Sequence, residues 1–191
     1  IELEELDGWT CCGASHVQDI APEITLATNA RNIALAEEKG LNLLTVCNTC
    51  TLMLREAKNE LDKNEKEKNE VNKKLAQIGK QYRGTTDITH FLWVLIRDYG
   101  LDKLKAKVVK PLTGLRVAEY YGCHILRPQT ELGFEDYQMP TSLADLISAI
   151  GATPIDFSRK LDCCGFHAVY PAHDSVMQMT GSINKDAATE G

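Results

Sequence analysis

The chain has 191 residues, 43% of them hydrophobic and 25% charged, which suits one ample soluble domain or two small ones. Its formal net charge of −6 argues against nucleic-acid binding, because such proteins present a basic surface to phosphates. No apolar run approaches the roughly 20 residues that span a bilayer, and no signal peptide is visible. We therefore expect no nucleic-acid partner, no transmembrane segment and a cytoplasmic location.

The first half of the chain predicts helices around one short strand. A helical pattern opens at Pro22 and runs to Lys39, where Gly40 ends it. The apolar residues 41–46 predict a buried parallel strand. The Cys-x-x-Cys pattern Cys47–Cys50 follows at the start of the next helix, and strand ends that face a helix N-terminus are where α/β proteins place ligands.

Three segments then lead to the second half. Residues 62–70 lack apolar side chains, and their alternating Lys and Glu indicate a solvated helix face, with docking to a partner as the alternative. The span Thr86–Tyr99 carries apolar residues at the helical period and predicts an amphipathic helix that ends at Gly100. Residues 101–114 are interpreted as a charged connector.

The second half repeats this order of elements. Residues 115–121 predict a strand, Ser142 is expected to cap a helix, and residues 153–157 and 172–189 predict a strand and a helix. The fold class is therefore α/β, with two pseudo-symmetric halves that each hold a small, mostly parallel sheet flanked by helices. We expect two domains, residues 1–110 and 111–191.

Seven cysteines carry the chemistry of the chain: Cys11, Cys12, Cys47, Cys50, Cys123, Cys163 and Cys164. An odd number argues against a closed disulfide framework. Two adjacent pairs are each followed by glycine, in Trp9–Gly13 and Leu161–Gly165. Neighbouring thiols on one turn do not pair easily with each other, but both can reach a metal cluster, and glycine lets the backbone come close to it.

One template accounts for all seven cysteines: a lone Cys, then Cys-Cys-Gly, then Cys-x-x-Cys. The first half lacks the lone Cys, and the second half lacks the Cys-x-x-Cys. We therefore expect a longer protein, with a cysteine about 30 residues or more before Ile1 and a Cys-x-x-Cys within about 10 residues after Gly191.

The motifs resemble the Cys-Cys-Gly cysteine-rich domain family, and within it the B subunits of heterodisulfide reductases. The similarity rests on Tyr120–Cys123 followed by Arg127-Pro128, together with Trp9–Gly13, Cys47–Cys50 and Lys160–Gly165. In that family each motif set holds a noncubane four-iron, four-sulfur cluster. The resemblance implies two such sites, both completed by residues outside this chain: Cys11, Cys12, Cys47 and Cys50 in the first, and Cys123, Cys163 and Cys164 in the second.

The resemblance also implies a function, the catalytic iron–sulfur subunit of a heterodisulfide reductase-type complex. Such a subunit reduces a disulfide, that of coenzyme M and coenzyme B in methanogens, to two thiols. Its partners would be a flavin-containing A-like subunit and a small iron–sulfur C-like subunit. Four alternatives stay open: an electron-transfer subunit of a succinate dehydrogenase or fumarate reductase, a zinc-binding assembly module with zinc at one set, buried thiols without a ligand role, and empty or partly filled sites.

Five further side chains are candidates for roles near the cysteines. His16, His124 and His167 lie close to them in the sequence and could donate protons to a departing thiolate, or could simply orient loops. His90 falls in the predicted amphipathic helix, where a surface or core role is expected. Arg127 could pair with an anionic substrate group, with a structural salt bridge as the alternative.

Overall fold

A computed structural model describes residues 1–190, which form two compact units. The first unit spans Ile1–Phe91 and the second begins at Leu92. Each unit contains a two-stranded parallel sheet with helices beside it, so the predicted α/β class with small parallel sheets flanked by helices is confirmed. Within residues 1–190, no helix combines the length and the apolar character needed to cross a membrane.

The first unit is built on α2 and α3, which pack against each other beside the sheet. Its elements in chain order are α1 (His16–Ile20), α2 (Pro22–Lys39), β1 (Leu43–Thr45), α3 (Asn48–Lys63), α4 (Glu65–Ala76) and β2 (Ile88–His90). The strands pair in parallel, with Leu43 opposite Ile88 and Thr45 opposite His90. An apolar core joins α2, α3, α4 and β2, and its buried members are Ala30, Ile33, Leu54, Leu61, Val71, Leu75, Tyr82 and Ile88.

The predicted limits of α2 are confirmed, because Pro22 opens the helix and Gly40 follows its last residue in the left-handed conformation, with φ of 65°. The charged tract is helical and solvated as predicted, with the short-range ion pairs Lys68–Glu65 and Lys73–Glu70. It is divided between two helices, however. The side chain of Asn64 accepts a hydrogen bond from the backbone N–H of Glu67 at 3.2 Å and so starts α4.

The prediction of one amphipathic helix over Thr86–Tyr99 is wrong for its first part. Residues 88–90 form strand β2, and the helix starts only at Phe91. Ile88 is buried in the core of the first unit, and pairing with β1 overrides the helical periodicity of the local sequence. The connector is also partly helical, since α6 covers Leu101–Lys107.

The second unit places its strands between helical segments. Its elements in chain order are α5 (Phe91–Trp93), whose first residue still belongs to the first unit, a π-helix (Val94–Gly100), α6 (Leu101–Lys107), β3 (Arg116–Ala118), α7 (Gln129–Leu132), α8 (Ser142–Ala149), β4 (Thr153–Ile155), a 3₁₀ turn (Phe166–Ala168) and α9 (His173–Glu190). The strands are parallel, with Arg116 opposite Thr153 and Ala118 opposite Ile155.

The helical run after β2 belongs with the second unit. Helix α6 packs against α8, and the ring of Trp93 stacks on Phe134 with centroids 5.2 Å apart. The division into units therefore falls before this run, whereas the sequence suggested a change of domain after it, at residue 111. The assignment of residues 1–110 and 111–191 to separate domains stays a prediction.

The start of α8 differs from the prediction in one detail. Ser142 is the first helical residue and Thr141 the N-cap. The cap is made by Glu135, whose carboxylate accepts hydrogen bonds from the backbone N–H groups of Thr141 and Ser142 at 2.9 and 3.0 Å. The Ser142 hydroxyl also donates to Glu135, at 2.5 Å. Glu135, from the preceding loop, thus caps the helix in place of Ser142.

One buried carboxylate fixes the loop that enters β2. Glu37 of α2 is only 7% exposed. Its two oxygens accept hydrogen bonds from three consecutive backbone N–H groups, those of Arg83 at 2.8 Å, Gly84 at 2.6 Å and Thr85 at 2.7 Å. This loop therefore has its buried donors satisfied by a side chain rather than by a neighbouring strand.

Replacing Glu37 by alanine should destabilise the protein by about 2 to 4 kcal/mol, because three backbone donors lose their acceptor. The matched control is E38Q, at the next position, which removes only a partly exposed pair with Lys80 and should cost less than about 1 kcal/mol. Chemical denaturation of both variants measures the difference. Equal losses of free energy would contradict a structural role for the Glu37 carboxylate.

Candidate metal centre

The first group of cysteines lies at the carboxyl edge of the β1–β2 sheet. Cys47 follows β1 as the N-cap of α3, in an extended conformation, and Cys50 lies in the first turn of that helix. The sequence-based placement of this Cys-x-x-Cys between a strand and a helix is therefore confirmed. A helix N-terminus carries a partial positive charge, which favours the thiolate form of nearby cysteines.

The first Cys-Cys-Gly is brought to the same place. Cys12 is buried, and its Sγ accepts a hydrogen bond from Cys50 Sγ at 3.6 Å. That bond lowers the pKa of Cys12 to about 6 and raises the pKa of Cys50, because the two sulfurs share one proton. Cys11 also contacts Cys12, and Cys47 contacts Cys50, so all four predicted side chains of the first site lie together.

The sulfur spacing suits metal binding by at least two of these thiols. Two thiolates on one tetrahedral ion, with metal–sulfur bonds of about 2.3 Å, lie about 3.8 Å apart. The 3.6 Å between Cys12 and Cys50 is close to that value. Among residues 1–190, no three His, Cys, Asp or Glu side chains are already arranged around a single metal ion.

Two asparagines of α2 hold the first cysteine peptide. Asn32 bonds both polar backbone groups of Thr10, accepting from its N–H at 3.1 Å and donating to its carbonyl at 2.8 Å. Asn29 donates to the carbonyl of Cys12 at 2.8 Å. Both asparagines are buried, and the bond from Asn29 to the carbonyl of Cys12 forms away from competing water. The peptide has no strand partner, and side-chain amides take that role.

Gly13 lets this peptide turn tightly. Its φ is 74°, a left-handed conformation that disfavours residues with a Cβ. A Cβ at this position would also lie 3.3 Å from the hydroxyl oxygen of Thr25 on α2. The third residue of the motif therefore has to be glycine for the cysteines to approach α2 this closely.

The second group of cysteines lies at the carboxyl ends of β3 and β4. Cys123 follows β3, while Cys163 and Cys164 follow β4, and the three thiols interact with one another. Burial and the neighbouring Cys163 raise the pKa of Cys123. The backbone N–H of Gly165 donates to Cys163 Sγ at 3.3 Å. The structure thus brings together the three cysteines that the sequence assigned to the second site.

A partly buried ion pair links the two loops of this second group. Lys160 lies 2.7 Å from Glu119, which is 3% exposed, and 2.8 Å from the exposed Asp156. Burial alone would lower the pKa of Lys160, but these two carboxylates outweigh it and raise that pKa. Glu119 precedes the Cys123 loop and Lys160 precedes Cys163-Cys164, so the pair ties one cysteine loop to the other.

The candidate histidines divide between the units. His124 and His167 meet beside the second cysteine group, with ring centroids 5.0 Å apart in an edge-to-face arrangement. Burial and the neighbouring His167 lower the pKa of His124. His16 begins α1 in the first unit, three residues after Gly13. Their proposed role as proton donors stays a prediction.

His90 is a neighbour of the first site that the sequence did not indicate. The predicted helical position is wrong, because His90 ends β2 and lies opposite Thr45, two residues before Cys47. Burial lowers its pKa, and it shares a hydrogen bond with the backbone of Val46. No local signal marks a histidine as the end of a strand when that strand forms only by pairing with a distant one.

Arg127 takes a structural position. Its guanidinium donates a hydrogen bond to the carbonyl of Leu161 at 2.5 Å, at the start of the Leu161–Gly165 motif. Unlike Arg127, four residues that hold the cysteine peptides were not identified from the sequence: Asn29, Asn32, Glu119 and Lys160. The available signal was two asparagines at i and i+3, interrupting the apolar face of a predicted helix.

Replacing Asn32 by alanine should loosen the first cysteine peptide, because both polar groups of Thr10 lose their partner. In iron-free protein we expect Cys12 to react faster with a thiol reagent. The rate should rise about tenfold for each 1.4 kcal/mol by which the lost hydrogen bonds lower the free energy of opening the peptide. Mass spectrometry of the labelled peptides measures this rate. The control is N42A, which removes an exposed hydrogen bond to Asp87, and equal Cys12 rates in the two variants would contradict the proposed clamp.

Comparison with known proteins identifies a family that matches two segments of this chain, one around each group of cysteines. The profile of the cysteine-rich domain family CCG matches residues 1–55 and 117–191. A crystal structure of a hypothetical protein from Helicobacter pylori superposes with a TM-score of 0.59 over 81% of this chain and 27% of that one. At 18% identity, that similarity shows a shared fold alone.

Three relatives carry names that describe redox complexes. The 8-methylmenaquinol:fumarate reductase membrane anchor subunit of Wolinella succinogenes is 50% identical over 98% of this chain and 65% of its own length. A protein of Archaeoglobus profundus, named as like the B subunit of heterodisulfide reductase, is 40% identical over 88% and 58%, respectively. The B subunit of the ferredoxin:CoB-CoM heterodisulfide reductase of Methanosarcina mazei is 37% identical over 86% and 55%. The chain therefore spans less than two thirds of each of these relatives.

Proposed function

Because the chain belongs to the CCG family of cysteine-rich domains, we propose that it is the cluster-binding part of an iron–sulfur subunit in a multisubunit oxidoreductase. One observation carries this proposal. All seven cysteines of the chain fall into two groups, each at the carboxyl edge of a small parallel sheet. A protein that used its cysteines only as buried apolar residues would have no reason to gather them at ligand-binding edges.

The donor chemistry of both groups fits iron–sulfur clusters, which are held by cysteine thiolates. The proposed ligands are Cys11, Cys12, Cys47 and Cys50 in the first group and Cys123, Cys163 and Cys164 in the second. When bound, such a cluster supplies one-electron transfer. That each cluster is of the noncubane four-iron, four-sulfur kind follows from the family resemblance and is part of the proposal.

At each site the backbone favours the charged thiolate of one cysteine. The N-terminal end of α3 faces Cys47, and the backbone N–H of Gly165 donates to Cys163. Hydrogen bonds to the sulfurs and burial are the means by which a protein sets the potential of such a group. In the first unit, burial of Cys12 excludes water from part of the ligand set.

We expect the full-length protein, purified without oxygen, to contain iron and acid-labile sulfide equivalent to about two four-iron clusters. C50S should remove the iron of the first site and C123S that of the second, each lowering total iron by about half. Elemental analysis with electron paramagnetic resonance measures both. Zinc without iron in the wild-type protein would overturn the proposal in favour of a zinc-stabilised assembly module.

The reaction that we favour is electron exchange with a quinol in a fumarate reductase-type complex. Its support is the 50% identity to the Wolinella protein across nearly the whole chain. Electrons would pass between a flavin-containing partner subunit, a small iron–sulfur subunit and this chain. A pocket of about 360 Å³ beside Cys163, lined by Arg159, Gln178 and Ser182 among others, offers the quinol hydrogen-bonding groups next to the second site.

The second candidate is cleavage of a disulfide of the coenzyme M–coenzyme B type. Its support is the 40% and 37% identity to the relatives whose names refer to heterodisulfide reductase. In that case the partners would be the A-like and C-like subunits of such a complex. Beside the second site, the His124 and His167 pair could donate protons to the two leaving thiolates.

One assay separates the two reactions. The full-length protein, copurified with its partner subunits, is supplied either with a reduced menaquinone analogue and fumarate or with reduced viologen and the coenzyme M–coenzyme B disulfide. Quinol-dependent fumarate reduction supports the first candidate. Release of two thiols per disulfide supports the second and would displace the first.

A further inference from the structure

The peptide just before Cys163 is held by hydrogen bonds to its backbone carbonyls. Three consecutive carbonyls, those of residues 160–162, all accept hydrogen bonds from the segment around Cys123. The contacts are Tyr121 N and Gly122 N to Lys160 O at 3.0 and 3.3 Å, Arg127 Nη2 to Leu161 O at 2.5 Å, and Tyr120 Oη to Asp162 O at 2.7 Å. The two cysteine loops of the second site are therefore bonded to each other along their approach to the thiols.

Tyr120 makes the contact nearest the thiols. Its hydroxyl donates to the carbonyl of Asp162, which adjoins Cys163, and it also lies within hydrogen-bonding reach of the Cys164 side chain. Its ring lies over Gly122, where a Cβ would be 3.4 Å from the Tyr120 oxygen. Burial raises the pKa of Tyr120 to about 12, and the nearby thiols add to this, so the hydroxyl keeps its proton at neutral pH.

We propose that Tyr120 is the positioning residue of the second cysteine group, with a hydroxyl whose single proton is shared between the Asp162 carbonyl and the Cys164 sulfur. This inference rests on the proposed function, since it concerns the metal group that these thiols bind. Hydrogen bonds to ligand sulfurs withdraw charge from the metal and raise its reduction potential. Loss of the hydroxyl should therefore make the potential of the second site more negative.

The neighbouring Tyr121 provides a matched control. Its hydroxyl accepts a hydrogen bond from the backbone N–H of Leu143 at 2.8 Å, at the start of α8. Tyr121→Phe removes the same atom from the adjacent residue, but at a contact with a helix rather than with a cysteine loop. A loss of stability alone should therefore appear in Y121F, and a change at the metal should appear only in Y120F.

The experiment compares full-length wild-type protein, Y120F and Y121F, all purified without oxygen together with their partner subunits. Iron per chain, the electron paramagnetic resonance spectrum and the midpoint potential of each cluster are measured, with thermal melting as the stability readout. We expect Y120F to keep its iron, to shift the potential of one cluster to a more negative value and to alter its spectrum. Y121F should lower the melting temperature without moving either potential.

Two results would overturn the inference. One is a Y120F protein whose spectra and potentials match those of the wild type, and the other is an equal shift in Y121F. A wild-type protein without iron would instead overturn the proposed function, so the two failures are distinct. If Y120F does not fold, R127M tests the same peptide through Leu161, and unchanged potentials in that variant would count against the proposal.

Discussion

Both cysteine sites depend on irregular peptides that are held by hydrogen bonds from elsewhere in the same unit. In the first unit Asn29 and Asn32 bind the backbone on either side of Cys11. In the second, three successive carbonyls before Cys163 are bound by the segment around Cys123. The peptides that present these thiols lie outside the two sheets, so their polar backbone groups need partners of this kind.

The parallel sheets supply the second constraint. Parallel strands end at the same edge, so chain segments that are far apart in sequence deliver their next residues to one place. β1 delivers Cys47 and β2 ends at His90, while β3 and β4 lead to Cys123 and to Cys163-Cys164. Each sheet has only two short strands. Its main role is therefore to align the loops that carry the cysteine ligands.

Much of the site could be predicted because its chemistry is local. The repeated Cys-Cys-Gly, the Cys-x-x-Cys and the glycine that ends α2 are short patterns with their own physical meaning, and the family resemblance rests on them. The grouping of the cysteines into two sites followed from their order along the chain. Tyr120 was visible as part of a motif, but its bond to Asp162, 42 residues later, was not.

By itself, the sequence determined the fold class, the limits of α2, the cysteines that gather at each site and the family. Each of these depends on composition, on periodicity or on motifs within a few residues. Only the tertiary structure decided that residues 88–90 form a strand, that Glu135 caps α8 and that Asn29, Asn32 and Lys160 hold the cysteine peptides. These features are pairings between distant segments, and local propensity carries no information about which distant group will satisfy a buried donor or acceptor.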